Sequence, residues 1–433
     1  MSRWREFKPK FQFLFVAVPM MAWGQVPAAH HHGTASPIAK EDTCYVREVK
    51  SLPGSHAFAA DFIEVMATDP RPAARDRNGD RNNGVWALTA DLNADLPAEE
   101  RALYISKSTN GGGTWTQVAR VDSRYFDSGI DEGLRNGLSV APGGREFVIT
   151  TQKGAFQVIP RGSEAGVKYV VVKWIEGPRV PHVRPWVSIP KKEGDPVRAA
   201  AVKMTADGKK LIVGYGYFDM EPQLFAYHKG RDGAWVEDGP LPQLPTDLDI
   251  FSMEFDRPRD PHPGSLYVGT GDQVYRLDLR ASDLRSGKWI EIEGVEPDSA
   301  IHGINTVGGL HLAACWGVYV PVGPDRVGRL TNAEFIYHKD DDETGPNVRA
   351  YGIEIDPARP SRQVVTALTG VYISRDSGGS WKRLNELPEG EYRTAHFNAD
   401  GTVIISGLPG TFVANPFSTG CLPHLKTREK ADE

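Results

Sequence analysis

Two segments far apart in this chain carry one signature: Ser108-Thr109-Asn110-Gly111-Gly112-Gly113-Thr114-Trp115 and Ser374-Arg375-Asp376-Ser377-Gly378-Gly379-Ser380-Trp381. Both read Ser, any residue, Asp or Asn, any residue, Gly, two further residues, Trp. An apolar run precedes each, Ala-Leu-Tyr-Ile-Ser at 102–106 and Gly-Val-Tyr-Ile-Ser at 370–374. An apolar strand, a polar Gly-rich turn and an aromatic-led second strand together signal a hairpin. Its presence near both ends, with weaker copies between, points to one β unit repeated along the chain.

The copies run over Gly84–Val118, Glu146–Trp174, Leu211–Trp235, Ser265–Trp289, Leu310–Phe335 and Gln363–Leu384. Their closing aromatics, Trp115, Trp174, Trp235, Trp289, Phe335 and Trp381, are spaced as propeller blades are. A seventh unit begins near Arg393 and stops at Phe412–Pro416, one strand short. The segment Cys44–Val49 supplies the missing outer strand, so the sequence predicts an all-β, seven-bladed propeller over residues 44–421, sealed by its two ends. Six or eight blades remain open, because Phe335 is a weak terminator. The 45 Gly and 32 Pro suit many short strands joined by tight turns.

The first residues read differently. A basic start (Arg3, Arg5, Lys8, Lys10) leads into the apolar run Phe11–Trp23, with small residues near 24 and 29 for cleavage. That order is a signal peptide over residues 1–29, a retained anchor being the alternative. Residues 30–43, including His30-His31-His32, are expected to be a disordered mature N-terminus, and 422–433 a flexible tail. The expected product is an exported monomer, periplasmic or extracellular, with no membrane contact after cleavage. In an oxidising compartment Cys44 and Cys421 are the natural disulfide pair. Cys315, inside the apolar run Leu310–Val320, reads as a small core hydrophobe. A net charge of −6 gives no electrostatic case for nucleic acid.

The two octapeptides resemble Asp-boxes, also called BNR repeats, of the sialidase-like propeller superfamily. That superfamily includes sialidases, xyloglucan-active glycosidases, sortilin-type receptors and photosystem II assembly factors. The resemblance implies that each box turns between a blade's third and fourth strands, on the rim away from the usual ligand face. Ser108, Asn110, Gly112 and Trp115, with Ser374, Asp376, Gly378 and Trp381, are then structural and name no substrate.

Ligand chemistry is expected where the innermost strands begin. Arg135, Arg198, Arg349 and Arg393 occupy similar places in four units, and converging guanidinium groups suit a carboxylate or sulfate. Asp131, Glu132, Asp247, Asp249, His302, Tyr351, Tyr392 and His396 lie beside them. Catalytic sialidases use three arginines, a Tyr–Glu pair and an Asp. Here their Phe/Tyr-Arg-Ile-Pro motif is absent, Val183-Arg184-Pro185 not matching it, and neither Tyr351 nor Tyr392 is singled out to join Glu254 or Glu354. Asp131, Glu132, Asp247, Asp249 and Tyr351 stay as catalytic candidates for glycoside hydrolysis. Arg135, Arg198, Arg349 and Arg393, with His302, Tyr392 and His396, are binding candidates. The expected ligand is an acidic glycan, with a non-catalytic scaffold or assembly factor for a protein partner as the rival.

No cofactor is implied except through Asp76, Asn78, Asp80 and Asn82, whose alternating oxygens suit Ca²⁺. Their spacing partly resembles an EF-hand loop, but Arg81 and Ala87 stand where its Gly and bidentate Glu belong. The acidic stretch Lys339–Glu343 reads as a solvated loop.

Overall fold

Runs of five to seven β-branched and aromatic residues, broken by Gly turns, are too short and too regular for anything but stacked small sheets. The computed structural model describes residues 45–50, 52, 63, 65–68, 84–91, 101–126, 137–164, 167–180, 192–216, 221–280, 284–330 and 349–418. Seven four-stranded antiparallel sheets account for their strands. The only helical pieces among them are two short 3-10 turns, Ser123–Tyr125 and Leu284–Ser286.

After the first strand β1 (Val46–Glu48), blade one is β2 (Val65–Thr68), β3 (Val85–Asp91), β4 (Ala102–Ser108) and β5 (Thr116–Asp122). Blade two is β6 (Leu138–Val140), β7 (Phe147–Thr151), β8 (Gly154–Glu164) and β9 (Val167–Ile175). Blade three holds β10 (Ala199–Met204), β11 (Lys210–Tyr215), β12 (Gln223–Lys229) and β13 (Trp235–Pro240). Blade four holds β14 (Ile250–Phe255), β15 (Ser265–Thr270), β16 (Val274–Asp278) and β17 (Trp289–Glu291). In blade five come β18 (Ile301–Asn305), β19 (His311–Ala314), β20 (Gly317–Gly323) and β21 (Arg326–Arg329). Blade six contains β22 (Ala350–Ile355), β23 (Gln363–Ala367), β24 (Gly370–Ser374) and β25 (Lys382–Arg383). Blade seven contains β26 (Tyr392–Phe397), β27 (Val403–Gly407) and β28 (Gly410–Ala414), and β1 completes it from the other end of the chain.

That closure is antiparallel, with Val46 opposite Ala414 and Glu48 opposite Phe412. Asn415 N donates to Tyr45 O at 2.9 Å, extending the pairing by one step. Cys44 and Cys421 lie just outside the described residues, as do Asp76, Asn78, Asp80 and Asn82 of the candidate calcium loop.

Among the described residues the core is seven apolar clusters, each at the interface of two neighbouring blades. Leu103, Phe126 and Phe147 join blades one and two. Val148, Val202 and Tyr215 join two and three, and Ile212, Met253 and Leu266 join three and four. Val274 and Leu312 link four and five, Val318 and Ile353 link five and six, and Ile373 and Phe397 link six and seven. Trp115 and Val85 meet Ile404 and Val413 across the seam between blades one and seven. At about 1.5–3 kcal/mol for each large side chain buried, every interface contributes substantially, the seam included.

Both boxes form the expected turn from third to fourth strand, and their bonding matches atom for atom. Ser108 Oγ donates to Asn110 Oδ1 at 3.1 Å and accepts from Gly112 N at 2.8 Å. Thr114 N donates to Asn110 Oδ1 at 2.9 Å, and Trp115 Nε1 to Gly112 O at 3.0 Å. In the second box Ser374 Oγ, Asp376 Oδ1, Gly378 N, Ser380 N and Trp381 Nε1 repeat each bond within 2.8–3.1 Å. Gly112 and Gly378 sit at φ 88° and 89°, left-handed backbone that favours glycine. A Cβ on Gly112 would also stand 2.8 Å from Ile404 Cγ1.

Two closing aromatics depart from expectation. Phe335 lies outside the described residues, and the fourth strand of blade five comes earlier in the chain than it. A two-residue turn after Gly323 brings the outer strand back at once, so that blade ends on Arg326–Arg329. Trp174 lies at the far end of β9, because β8 and β9 make an unusually long hairpin of 11 and 9 residues.

Candidate functional site at the channel mouth

Antiparallel order fixes which residues meet at each end of the propeller channel. The start of every inner strand, the turn between second and third strands and the link to the next blade share one end, the mouth. The boxes turn at the opposite end.

Five inner strands, β10, β14, β18, β22 and β26, share one irregularity. Pairing with the neighbouring strand skips the second residue of each: Ala200, Phe251, His302, Tyr351 and Arg393. A bulge of this kind releases one residue from the ladder and re-aims its side chain. It also gives the blades a common register. The residues just before these strands, Arg198, Asp249, Ala300, Arg349 and Glu391, are therefore equivalent.

That register revises the arginine reading. Arg198 and Arg349 are true equivalents, but Arg393 stands two positions further on, at the bulge. Its Nε donates to Glu391 Oε1 at 2.6 Å, both side chains being largely buried. Arg198 is 4% exposed, whereas Arg349 is exposed. Tyr392 does not face the mouth at all: it is fully buried in the core between blades six and seven, and its hydroxyl donates to Pro388 O at 3.0 Å. Burial raises its pKa far beyond the ordinary tyrosine range. Asp247 is exposed and Asp249 half-buried on the link into blade four. Asp131, Glu132 and Arg135 lie outside the described residues.

The bulges form an aromatic arc instead. The His302 ring meets Phe251 edge-on at 5.6 Å between centroids and Tyr351 at 5.6 Å in a tilted contact. His302 and Tyr351 are 5% and 4% exposed. His302 Nε2 lies 3.3 Å from Cys315 Sγ. Contrary to expectation, Cys315 is a partly exposed thiol in the turn between β19 and β20, not a core residue; the apolar run that contains it is two strands and their turn.

Three residues beyond the bulge the same register places Lys203, Glu254, Asn305, Glu354 and His396 in one deeper layer. Lys203 Nζ donates to Glu254 Oε2 at 2.8 Å between adjacent blades. Burial pushes the Glu354 carboxyl up to about 8, aided by the Glu254 charge and opposed by Lys203. Those groups stand on blades six, four and three, so they interact across the channel. Burial, with the Arg259 charge from a turn of blade four, brings His396 down to about 4. At neutral pH the layer thus holds one ion pair and two uncharged groups. The sequence reading considered Glu254 and Glu354 only as partners for a tyrosine and missed Lys203 and Asn305. Aligning the inner strands on their starts would have found all four.

No family profile and no curated protein matches the chain. Among solved structures it is similar to the WD40 β-propeller domain of Doa1 at 10% identity, over 86% of this chain and 97% of that one, with a TM-score of 0.47. A chain of the mitotic checkpoint complex matches at 10% identity, over 92% and 99%, with a TM-score of 0.48. YCF48 bound to D1 peptide matches at 14% identity, over 86% and 95%, with a TM-score of 0.49. None of these three identifies the sialidase-like superfamily. Likeness at this level concerns the fold alone, and the sheet order already establishes that fold: a seven-bladed β-propeller.

Proposed function

We propose that this chain is an exported, non-catalytic propeller that holds a protein ligand against the mouth. One observation carries the reading: among the described candidates, Arg393, Tyr392 and Tyr351 are engaged with the protein itself. Arg393 is neutralised by Glu391, Tyr392 belongs to the core, and Tyr351 is buried against the His302 ring. The acidic-glycan reading is left with Arg349 as its exposed described arginine. Meanwhile Leu248 and Leu408, 40% and 42% exposed, stand on loops at the mouth end, as suits a protein contact.

One feature favours glycoside hydrolysis instead. Glu354 keeps its proton at neutral pH beside Glu254, a division of roles used in acid-assisted cleavage. Lys203 already holds the Glu254 carboxylate, which weakens that reading.

A photo-crosslinking residue at Leu248 is expected to capture one protein, and the same residue at Ser377, on the opposite end, none. Leu248→Asp with Arg349→Glu should weaken that complex about tenfold or more. Turnover in a glycoside panel that disappears in Glu354→Gln would overturn the proposal.

A further inference from the structure

We propose that Cys315 is a reactive thiol, a modification site that takes up low-molecular-weight disulfides, with His302 as the base that receives its proton. The inference is independent of the scaffold reading. A nucleophilic thiol needs a base within reach, a base held in one orientation, and access from solvent. All three conditions are met at the turn between β19 and β20.

His302 Nε2 lies 3.3 Å from Cys315 Sγ. The imidazole is held between Phe251 and Tyr351, one ring from each neighbouring blade, and its bulge position turns it out of the strand pairing. The backbone carrying the thiol is tied to the start of the same strand: Cys315 N donates to Ala300 O at 3.0 Å, two residues before His302. The next residue fixes the turn, as Trp316 Nε1 donates to Asp298 O at 3.1 Å. Cys315 is partly exposed. Titratable and charged groups on the elements packed around the pair include Asp249 and Glu254 before and on β14, Arg349, Tyr351 and Glu354 before and on β22, His311 on β19, and Asp298 on the link into blade five.

The step balances without any further reagent. Cys315 Sγ passes its proton to His302 Nε2, and the thiolate attacks one sulfur of the incoming disulfide. A new S–S bond to Cys315 forms as the old one breaks. The departing thiolate takes up the proton from His302. Cys315 is oxidised, the departing half is reduced, and the disulfide is the oxidant.

The test uses the full chain and dithiodipyridine, whose reaction releases a coloured thiopyridone. The Cys315→Ser variant sets the background from other thiols. At mildly acidic pH the Cys315-dependent rate in folded protein should be about fivefold above that in urea-unfolded protein, the balance of more thiolate against lower intrinsic nucleophilicity. Peptide mass mapping should find the adduct on Cys315. His302→Gln should bring the rate and its pH profile back to those of the unfolded chain. A folded-state rate at or below the unfolded one overturns the proposal, and this comparison needs no variant at His302. An unchanged pH profile in folded His302→Gln, or no adduct on Cys315, also overturns it.

Discussion

Glu354 and His396 occupy equivalent places in adjacent blades, and their surroundings make both uncharged at neutral pH. The consequences for stability have opposite signs. Folding raises the Glu354 pKa from 4.5 to about 8, so folded protein keeps a proton that the unfolded chain releases. Stability is therefore lost as pH rises through that window. Glu354→Gln is expected to gain a few kcal/mol over wild type at pH 8 and almost nothing at pH 4, read by urea denaturation. For His396 the folded pKa falls from 6.5 to about 4, so stability declines as pH drops through that interval. His396→Gln should flatten the acid limb of the same curve. A difference between Glu354→Gln and wild type that stays constant with pH would mean that the carboxyl is not shielded in the channel. Aligned strand starts could have placed Lys203, Glu254 and Glu354 in one layer, but their shifted charges were not legible in the sequence, because the ring, not any local motif, brings these groups together. Cys315 was misread for a related reason: hydropathy averaged over Leu310–Val320 hides the turn at its middle.

Elements were far more legible. The boxes announced their hairpins because Ser, Asp or Asn, Gly and Trp each make a particular short-range bond, and such bonds survive as a fixed spacing. Asn110 and Asp376 make the comparison sharp. Asn110 Nδ2 donates to Thr114 Oγ1 at 2.9 Å, whereas Asp376 Oδ2 accepts from Ser380 Oγ at 2.6 Å. Charge is therefore dispensable, although the Ser380 hydroxyl bond, followed by those from Ser380 N and Ser374, holds the Asp376 carboxyl below its usual range. Asp376→Asn should leave the thermal midpoint nearly unchanged, while Asp376→Ala should cost about 1–2 kcal/mol in denaturant unfolding. Equal losses from both would mean that the charge, not the acceptor, organises the turn. The inner-strand bulges escaped notice because a bulge changes pairing without changing composition. That is why Arg393 was grouped with Arg198 and Arg349, although Glu391 is the residue equivalent to those two.

At the scale of the molecule, blade number and closure were readable from the sequence because an incomplete seventh unit required a strand from elsewhere. Both boxes flank the blade so completed. Asn398 Nδ2 of blade seven donates to Gly111 O in one box at 3.1 Å, and Arg375 of the other reaches Pro416 O at 2.7 Å. Deleting the chain through Glu48 uncovers the edge of β28. The truncated protein should self-associate further than the full chain, as light scattering of the two would report; an unchanged assembly state would show that β1 is dispensable.

The antiparallel pairing of β1 with β28 sends both chain termini out from the same end of that pair. Tension applied through the two termini therefore loads the Arg375 bonds to Ser418, Phe417 and Pro416, then Tyr45–Asn415 and Val46–Ala414, peeling the contacts one after another rather than shearing them together. A ring built this way yields to a small pull, unless a covalent bond just outside those residues takes the load.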